Sequence, residues 1–365
     1  MIYKEYGQTG KKVSLLGFGG MRFKNIDDHD ECVNLMVTAA KGGINYFDTA
    51  PGYFGIESEI VFGKAFTQMR KLGLPYFSAT KTFKSTESEV RSDIEAQLKR
   101  LNIESIDFYH IWCVNSLENW ENRKKDGIIQ TFQKLKEEGL IKHICISSHL
   151  TKNDIKELLM EDVFEGVLFG YSAINFNARQ EAFDAIKEKK LGAVVMNPLS
   201  GGVIPAHPEL FGFIQRDGES VTTSALSFLW DHPEITNTLV GFETLEQLNE
   251  VLDAMKNYKP RTKEELEKAK VMAGASFEGI CTFCGYCVAD NGSGNMCHEG
   301  VPIPLFMDAY NQKLLSKESK DPIGDRLKWH WNIDKSLAAK CTSCRLCEKA
   351  CTQHIDIVKR LKEIT

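Results

Sequence analysis

Residues 76–111 read YFSATKTFKSTESEVRSDIEAQLKRLNIESIDFYHI, and the fold follows from how that stretch divides. Its two ends, 76–80 and 106–111, are short runs of aromatic and β-branched residues of strand length. Between them Glu87–Leu101 sets Val90, Ile94, Leu98 and Leu101 on one helical face with charge opposite, the pattern of a helix laid against a sheet. The same unit repeats in both directions. Further strands are expected at 13–18, 44–48, 143–147, 166–169, 193–197 and 238–241, and further amphipathic stretches begin near Asp27, Glu57, Gly127, Thr151, Ala178, Ser220 and Thr244. Eight strands, each followed by a helix, in about 250 residues is the size of a closed (β/α)8 TIM barrel, an α/β fold. A doubly wound open sheet is the competing arrangement. No GxGxxG opens a helix after a strand and no GxxxxGK precedes Ser or Thr, so neither nucleotide-binding signature supports it.

With 365 residues, 42% of them hydrophobic, the chain has length for one large domain plus a small one. Its net charge of -5 is spread over interspersed acids and bases, unlike the basic footprint of a nucleic-acid binder. No apolar run nears the roughly 20 residues of a membrane helix. The opening MIYKEYGQTGKKVSLLGFGG lacks the basic, apolar and small-residue regions of a secretory signal, so a cytoplasmic protein is expected. Of the 11 cysteines, Cys32, Cys113 and Cys145 are scattered and are expected to behave as small buried hydrophobes, whereas the rest lie between Cys281 and Cys351. A reducing compartment argues against disulfides there and for bound metal.

Chemistry in such a barrel sits at the carboxyl ends of the strands. Asp48 ends the second expected strand, Lys81 follows the third, His110 lies near the end of the fourth, and Tyr53 comes shortly after Asp48. A lysine ammonium beside a phenol is expected to lower its pKa, a carboxylate to hold the lysine charged, and a histidine to orient a carbonyl. Tyr53 would then protonate oxygen as hydride reaches carbon. Singly, each residue has a structural reading: a strand-end Asp caps a helix, a His is satisfied in a core, a Lys is solvated. Four of them at successive strand ends favour a site.

The runs Asn45-Tyr-Phe-Asp-Thr-Ala-Pro-Gly-Tyr53 with Glu57 and Glu59 beyond, Ser78-Ala-Thr-Lys81 and Asp107-Phe-Tyr-His110 resemble those of the aldo-keto reductases, over roughly residues 1–257. The resemblance implies a catalytic tetrad of Asp48, Tyr53, Lys81 and His110, a small carbonyl substrate, and NADPH or NADH lying extended across the barrel mouth. It also implies cofactor contacts. These are Gly19, Gly20, Met21 and Arg22 in a glycine-rich first loop, Ser147 on the carboxamide, and Met196, with Pro198 and Leu199, where an aromatic often stacks on nicotinamide. Gly241, Thr244 and Gln247 would open the last helix toward a phosphate. The sequence departs from the family pattern at Ser148, often asparagine, and at Leu168, where glutamine is expected. No Arg or Lys stands beside Gly241 and Thr244 for a 2′-phosphate. His149 reads either as a substrate contact or as a cap of the next helix.

Tyr258, Lys259, Pro260 and the charged run to Lys270 read as a linker into a short helix, and domains are expected at 1–260 and 261–365. Cys341, Cys344, Cys347 and Cys351 are spaced C-x2-C-x2-C-x3-C. Cys281, Cys284 and Cys287 repeat the first three positions, and Cys297 follows after nine intervening residues. Three thiolates at this spacing wrap three corners of a cubane and need a fourth from elsewhere, whereas paired C-x2-C units also suit structural zinc. The motifs resemble those of bacterial two-cluster ferredoxins. That resemblance implies one 4Fe-4S cluster on Cys281, Cys284, Cys287 and Cys351 and another on Cys341, Cys344, Cys347 and Cys297, in a small α-helical ferredoxin-like domain. A barrel with such a tail is similar to a subfamily of aldo-keto reductases, with a ferredoxin or flavoprotein as electron partner. Nicotinamide passes two electrons and each cluster one, so a second reading stays open: a non-catalytic redox sensor or accessory electron-transfer subunit on the same barrel.

Overall fold

In the computed structural model, two short strands, β1 (Tyr3–Glu5) and β2 (Lys12–Ser14), pair antiparallel, and eight more close into a parallel barrel. The structure describes residues 1–114, 116–276, 280–281, 287–288, 297–315, 319–349, 351 and 355–365. The barrel strands are β3 (Leu16–Gly19), β4 (Tyr46–Asp48), β5 (Phe77–Thr82), β6 (Ile106–Val114), β7 (Ile141–Ser148), β8 (Gly166–Gly170), β9 (Gly192–Met196) and β10 (Asn237–Val240). They follow one another round the ring, and β10 returns to β3. The strand expected at 13–18 divides in two. Ser14 Oγ donates to Leu16 O at 2.6 Å and Asn45 Oδ1 accepts from Ser14 N at 2.7 Å, which takes this residue out of the barrel ladder.

Glu87–Leu101 is a helix whose Val90, Ile94 and Leu101 are buried against the outside of the barrel. Each such side chain stabilises the fold by about 1.5–3 kcal/mol. The helix stops at Asn102, whose φ of 51° is the left-handed conformation that ends a helix. Inside the ring Tyr46, Phe108, Cys145, Leu168 and Val194 pack with Tyr6. Tyr6 forms the floor: a side chain at Gly166 or Gly192 would run into its ring, and its hydroxyl meets Cys145 Sγ at 3.5 Å.

Strand β6 is irregular between Ile111 and Val114, and there Cys113 takes a left-handed φ of 59°. Bulges of this kind re-aim side chains next to functional sites. Cys113 is consequently part-exposed and not the buried hydrophobe expected, whereas Cys32 and Cys145 are buried.

The charged run after Pro260 is not a free linker. The buried carboxylate of Asp231 accepts from Tyr258 OH at 2.7 Å and from Arg261 N at 2.8 Å, and pairs with the Arg261 guanidinium at 2.6 Å. The helix Lys263–Ser276 then lays Ala273 into the barrel's hydrophobic core, with Leu266 and Ala269 alongside. A second apolar cluster lies beyond it, formed by Val301, Ile303, Phe306, Ile357 and Leu361 around Cys287, Cys347 and Cys351. Among the described residues no helix is long and apolar enough to cross a membrane.

Candidate active site

Parallel pairing sets Gly19 opposite Asp48, Asp48 opposite Ala79 and Lys81 opposite His110, so neighbouring strands end with their ionisable side chains in one place. Lys81 Nζ donates to Asp48 Oδ1 at 2.5 Å and to Thr49 O at 2.8 Å, and it lies 5.2 Å from the centre of the Tyr53 ring. Gln97 donates to the Lys81 carbonyl at 2.8 Å, which fixes the strand end from the helix side. Glu59, fully buried, accepts from Thr80 Oγ1 at 2.8 Å and pairs with Arg100 at 2.6 Å, adding a second carboxylate whose field reaches Lys81.

His110 is completely buried, with Nδ1 3.3 Å from Thr80 O. A carbonyl can only accept, so Nδ1 carries the proton in the neutral ring and Nε2, which has no protein partner, keeps its lone pair. Burial, helped by the Lys81 charge, pulls the imidazole down to about 3.

The phenol runs against expectation. Burial raises the pKa of Tyr53 above its ordinary value, the Asp48 carboxylate and Cys113 push the same way, and Arg22 alone opposes them. The physical reason is first that the phenol is out of water, and then that Lys81 is bonded to Asp48, so that the carboxylate acts on the phenol beside the ammonium. The ring of Tyr53 meets Trp112 edge-on at 5.8 Å, and Phe83 stacks on the far side of Trp112 at 3.8 Å.

The residues expected to hold a cofactor divide into two groups. Ser147, one residue before the end of its strand, has a buried Oγ with no partner among the described residues, so it has a hydroxyl to offer an amide. Arg22 packs over Gly241, approaches Gly201 and acts on Tyr53, which brings the first loop, the end of β10 and the phenol together. Met196 is half-buried at the end of β9, and Asn197 after it turns with a φ of 59°, leading into Pro198 and Leu199. Gly20 is occupied otherwise: its N donates to Asp48 O at 2.8 Å, and a side chain there would strike Phe62 and Ser58. Gly19 packs on Leu239, and Met21 is exposed. Thr244 and Gln247 are committed to the start of the helix Leu245–Asn257, where Thr244 Oγ1 accepts from Gln247 N at 3.3 Å and Gln247 Oε1 accepts from Glu243 N at 2.9 Å. Ser148 is likewise engaged, donating to Val114 O at 3.2 Å and accepting from Leu150 N at 3.1 Å, and Leu168 belongs to the barrel lumen.

In the C-terminal part, Cys297, Cys341, Cys344 and Cys347 line a small pocket together with His298, Ile303 and Arg345. Cys344 is exposed at its edge and Cys347 is buried. Among the described residues no three His, Cys, Asp or Glu side chains converge on a point that would hold a single metal ion. Cys281 and Cys351 both act on the Arg360 guanidinium. Cys284 lies outside the described residues.

Trp112, Phe83 and Cys113 were not singled out at the mouth by their sequence positions, although each follows a strand-end ionisable group by two or three residues. Arg179 and His330, which meet His149, carry no local signal at all.

The profile of the Aldo/keto reductase family matches residues 15–271. Curated relatives include L-galactose dehydrogenase of Arabidopsis thaliana, 28% identical over 68% of this chain and 86% of that protein. NADH-specific methylglyoxal reductase of Escherichia coli (strain K12) is 23% identical over 58% of this chain and 69% of its own. The solved structure of aldo-keto reductase AKR11C1 from Bacillus halodurans in its holo form, 23% identical, shares the fold with a TM-score of 0.65 over 74% of this chain and 96% of that one.

Proposed function

Because the chain belongs to the aldo/keto reductase family of NAD(P)-dependent oxidoreductases, we infer that it reduces a small-molecule aldehyde or ketone, or oxidises the corresponding alcohol, at Asp48, Tyr53, Lys81 and His110. The observation that carries this reading is the Lys81 ammonium, anchored by Asp48 and the Thr49 carbonyl beneath the Tyr53 ring, with His110 on the adjoining strand. When bound, NADPH or NADH supplies the hydride. Tyr53, kept protonated by burial and by Asp48, delivers its proton to the carbonyl oxygen. Lys81 holds a fixed positive charge close to the oxygen that gains electron density, and Asp48 holds Lys81. His110 stays neutral and presents Nε2 as an acceptor, which suits the hydroxyl of an alcohol and not, as the sequence led one to expect, a carbonyl. Ser147, Arg22 and Met196 would hold the nicotinamide end.

The reading extends to two 4Fe-4S clusters in a domain at 261–365, one on Cys297, Cys341, Cys344 and Cys347 and one on Cys281, Cys284, Cys287 and Cys351. The shared cavity of the first set and the common action of Cys281 and Cys351 on Arg360 support this pairing. Loaded clusters supply one-electron exchange with a ferredoxin or flavoprotein in the cytoplasm. The engagement of Ser148 and the lumen position of Leu168 favour a second reading, a redox sensor or accessory electron-transfer subunit that no longer turns over nicotinamide.

Anaerobically purified protein mixed with NADH or NADPH and a panel of aldehydes decides between them. Cofactor consumption that falls by about 10²–10⁴ in Tyr53→Phe, with the circular dichroism spectrum unchanged, supports the enzyme. Neither consumption nor cofactor binding leaves the sensor.

A further inference from the structure

Where the barrel mouth meets the C-terminal part, two arginines and two histidines come together, with one carboxylate acting on the arginines. His149 leaves strand β7 just after Ser148, and its ring lies 4.4 Å from that of His330, edge to face. Arg179 exposes 1% of its surface, and its guanidinium lies 5.6 Å from the Trp331 ring. Among the described residues its hydrogen bonding comes to one long contact, 3.4 Å from Nη2 to His149 O. Asp308 is the one carboxylate that acts on it, and Asp308 is already taken by Arg326 Nε at 2.7 Å and Trp331 Nε1 at 2.6 Å. Arg179 Nε, His149 Nδ1 and His330 Nε2 are all buried with no hydrogen-bond partner among the described residues.

Two guanidinium groups therefore share one carboxylate, and a surplus positive charge is held out of water beside three unused nitrogens. An unpaired buried charge is costly enough that a fold keeps it only against a compensating anion. The place is informative. A side chain on Gly170 would put its first carbon 3.8 Å from Arg179 Cζ, so the guanidinium sits over the carboxyl end of β8, where Gly170 pairs with Met196. That is the same mouth as Ser147 and the strand ends carrying Lys81 and His110. The wall on the other side is the short irregular helix Arg326–Trp331, a π-helix of the kind that recurs at functional sites.

We propose that Arg179, with His149 and His330, forms an anion subsite at the barrel mouth that selects carbonyl substrates bearing a carboxylate or a phosphate group; this rests on the carbonyl-reducing reading above. A planar guanidinium takes either group in a forked pair of hydrogen bonds, and the neutral imidazoles supply further donors.

The test uses the full chain, purified anaerobically, and pairs of substrates differing in charge: methylglyoxal against pyruvate, and glyceraldehyde against glyceraldehyde 3-phosphate. The wild type is expected to favour the charged member of at least one pair, and which pair responds separates carboxylate from phosphate. Arg179→Gln should lower kcat/KM for that member by about 30-fold or more while leaving the neutral partner within about twofold. Independently of turnover, oxalate or inorganic phosphate should raise the melting temperature of the wild type and not of Arg179→Gln. If Arg179→Gln fails to fold, Arg179→Lys, which keeps the charge and loses the fork, carries the same comparison. No anion protection in the wild type, together with a higher melting temperature for Arg179→Met, overturns the subsite and leaves Arg179 a packing residue. Arg179-dependent protection by oxalate or phosphate without consumption of any carbonyl keeps the subsite and removes the reductase reading instead.

Discussion

Lys81 Nζ lies 2.5 Å from Asp48 Oδ1 with both side chains 1% exposed, so the two charges have no solvent to fall back on. Removing one partner strands the other. Lys81→Met is expected to cost about 3–5 kcal/mol of stability, whereas the double variant Asp48→Leu/Lys81→Met should recover most of it, since a buried pair exchanged for apolar groups is close to neutral. Urea unfolding reads the stabilities; an additive double variant would show that the pair is not coupled. Neither protein is expected to reduce aldehydes.

Four buried histidines make the fold sensitive to mild acid. Burial holds His110 and His149 neutral down to about 3 and His232 down to about 4, and drives His330 well below its ordinary value. An unfolded histidine binds a proton near 6.5, so below that pH the unfolded chain takes up more protons than the folded one and stability is lost as pH falls. Each such proton is worth up to about 1.4 kcal/mol per pH unit. The urea midpoint should drop steeply between pH 6.5 and 5, and His330→Asn should flatten the slope. A midpoint that stays level over this range contradicts the burial of these rings.

Trp112 stands edge-on to Tyr53 and is backed by Phe83. Aromatic contacts of this geometry contribute about 0.5–1.5 kcal/mol. Trp112→Ala should therefore lower kcat by roughly three- to tenfold by letting the phenol reorient, with Trp112→Phe intermediate. Steady-state kinetics on one aldehyde suffices, and an unchanged kcat would mean that Tyr53 is held by other contacts.

Assignment of Cys351 to the Cys281 set can be counted in iron. Cys344→Ser is expected to lose about half of the bound iron, and so is Cys351→Ser. Combined, Cys281→Ser/Cys351→Ser should lose no more than half, while Cys344→Ser/Cys351→Ser should lose nearly all. The reverse pattern assigns Cys351 to its own motif.

Asp231 ties Arg261 and Tyr258 to the barrel before the helix Lys263–Ser276 begins. Arg261→Met leaves that carboxylate buried without its cation and should cost about 3–5 kcal/mol. Limited proteolysis should then cut near residue 260, where the wild type resists.

What could be read from the chain before folding was the part governed by local pattern. Alternating strand and helix periods fixed the barrel, and because parallel strands end in register, Asp48, Lys81 and His110 could be placed at one mouth from their positions alone. Properties set by who touches whom could not. The upward shift of the Tyr53 phenol comes from its burial and from the Asp48 carboxylate nearby, and surroundings of that kind leave no trace in spacing. The run around Arg261 is as charged as any solvated linker, and its one buried residue is revealed only by Asp231, thirty positions away. Gln247 and Thr244 suit a phosphate and a capping box equally well in sequence, and the helix start used them for itself. Arg179, Asp308 and His330 come from three separate segments and could be brought together only by the packing of the C-terminal part on the barrel.

Tyr6 lies beneath Gly166 and Gly192, glycines that a ribosome delivers long after it has made the tyrosine. Tyr6 must wait, its ring unshielded, until β8 and β9 arrive to take it in, so vectorial synthesis cannot finish the floor of this barrel before those strands are made.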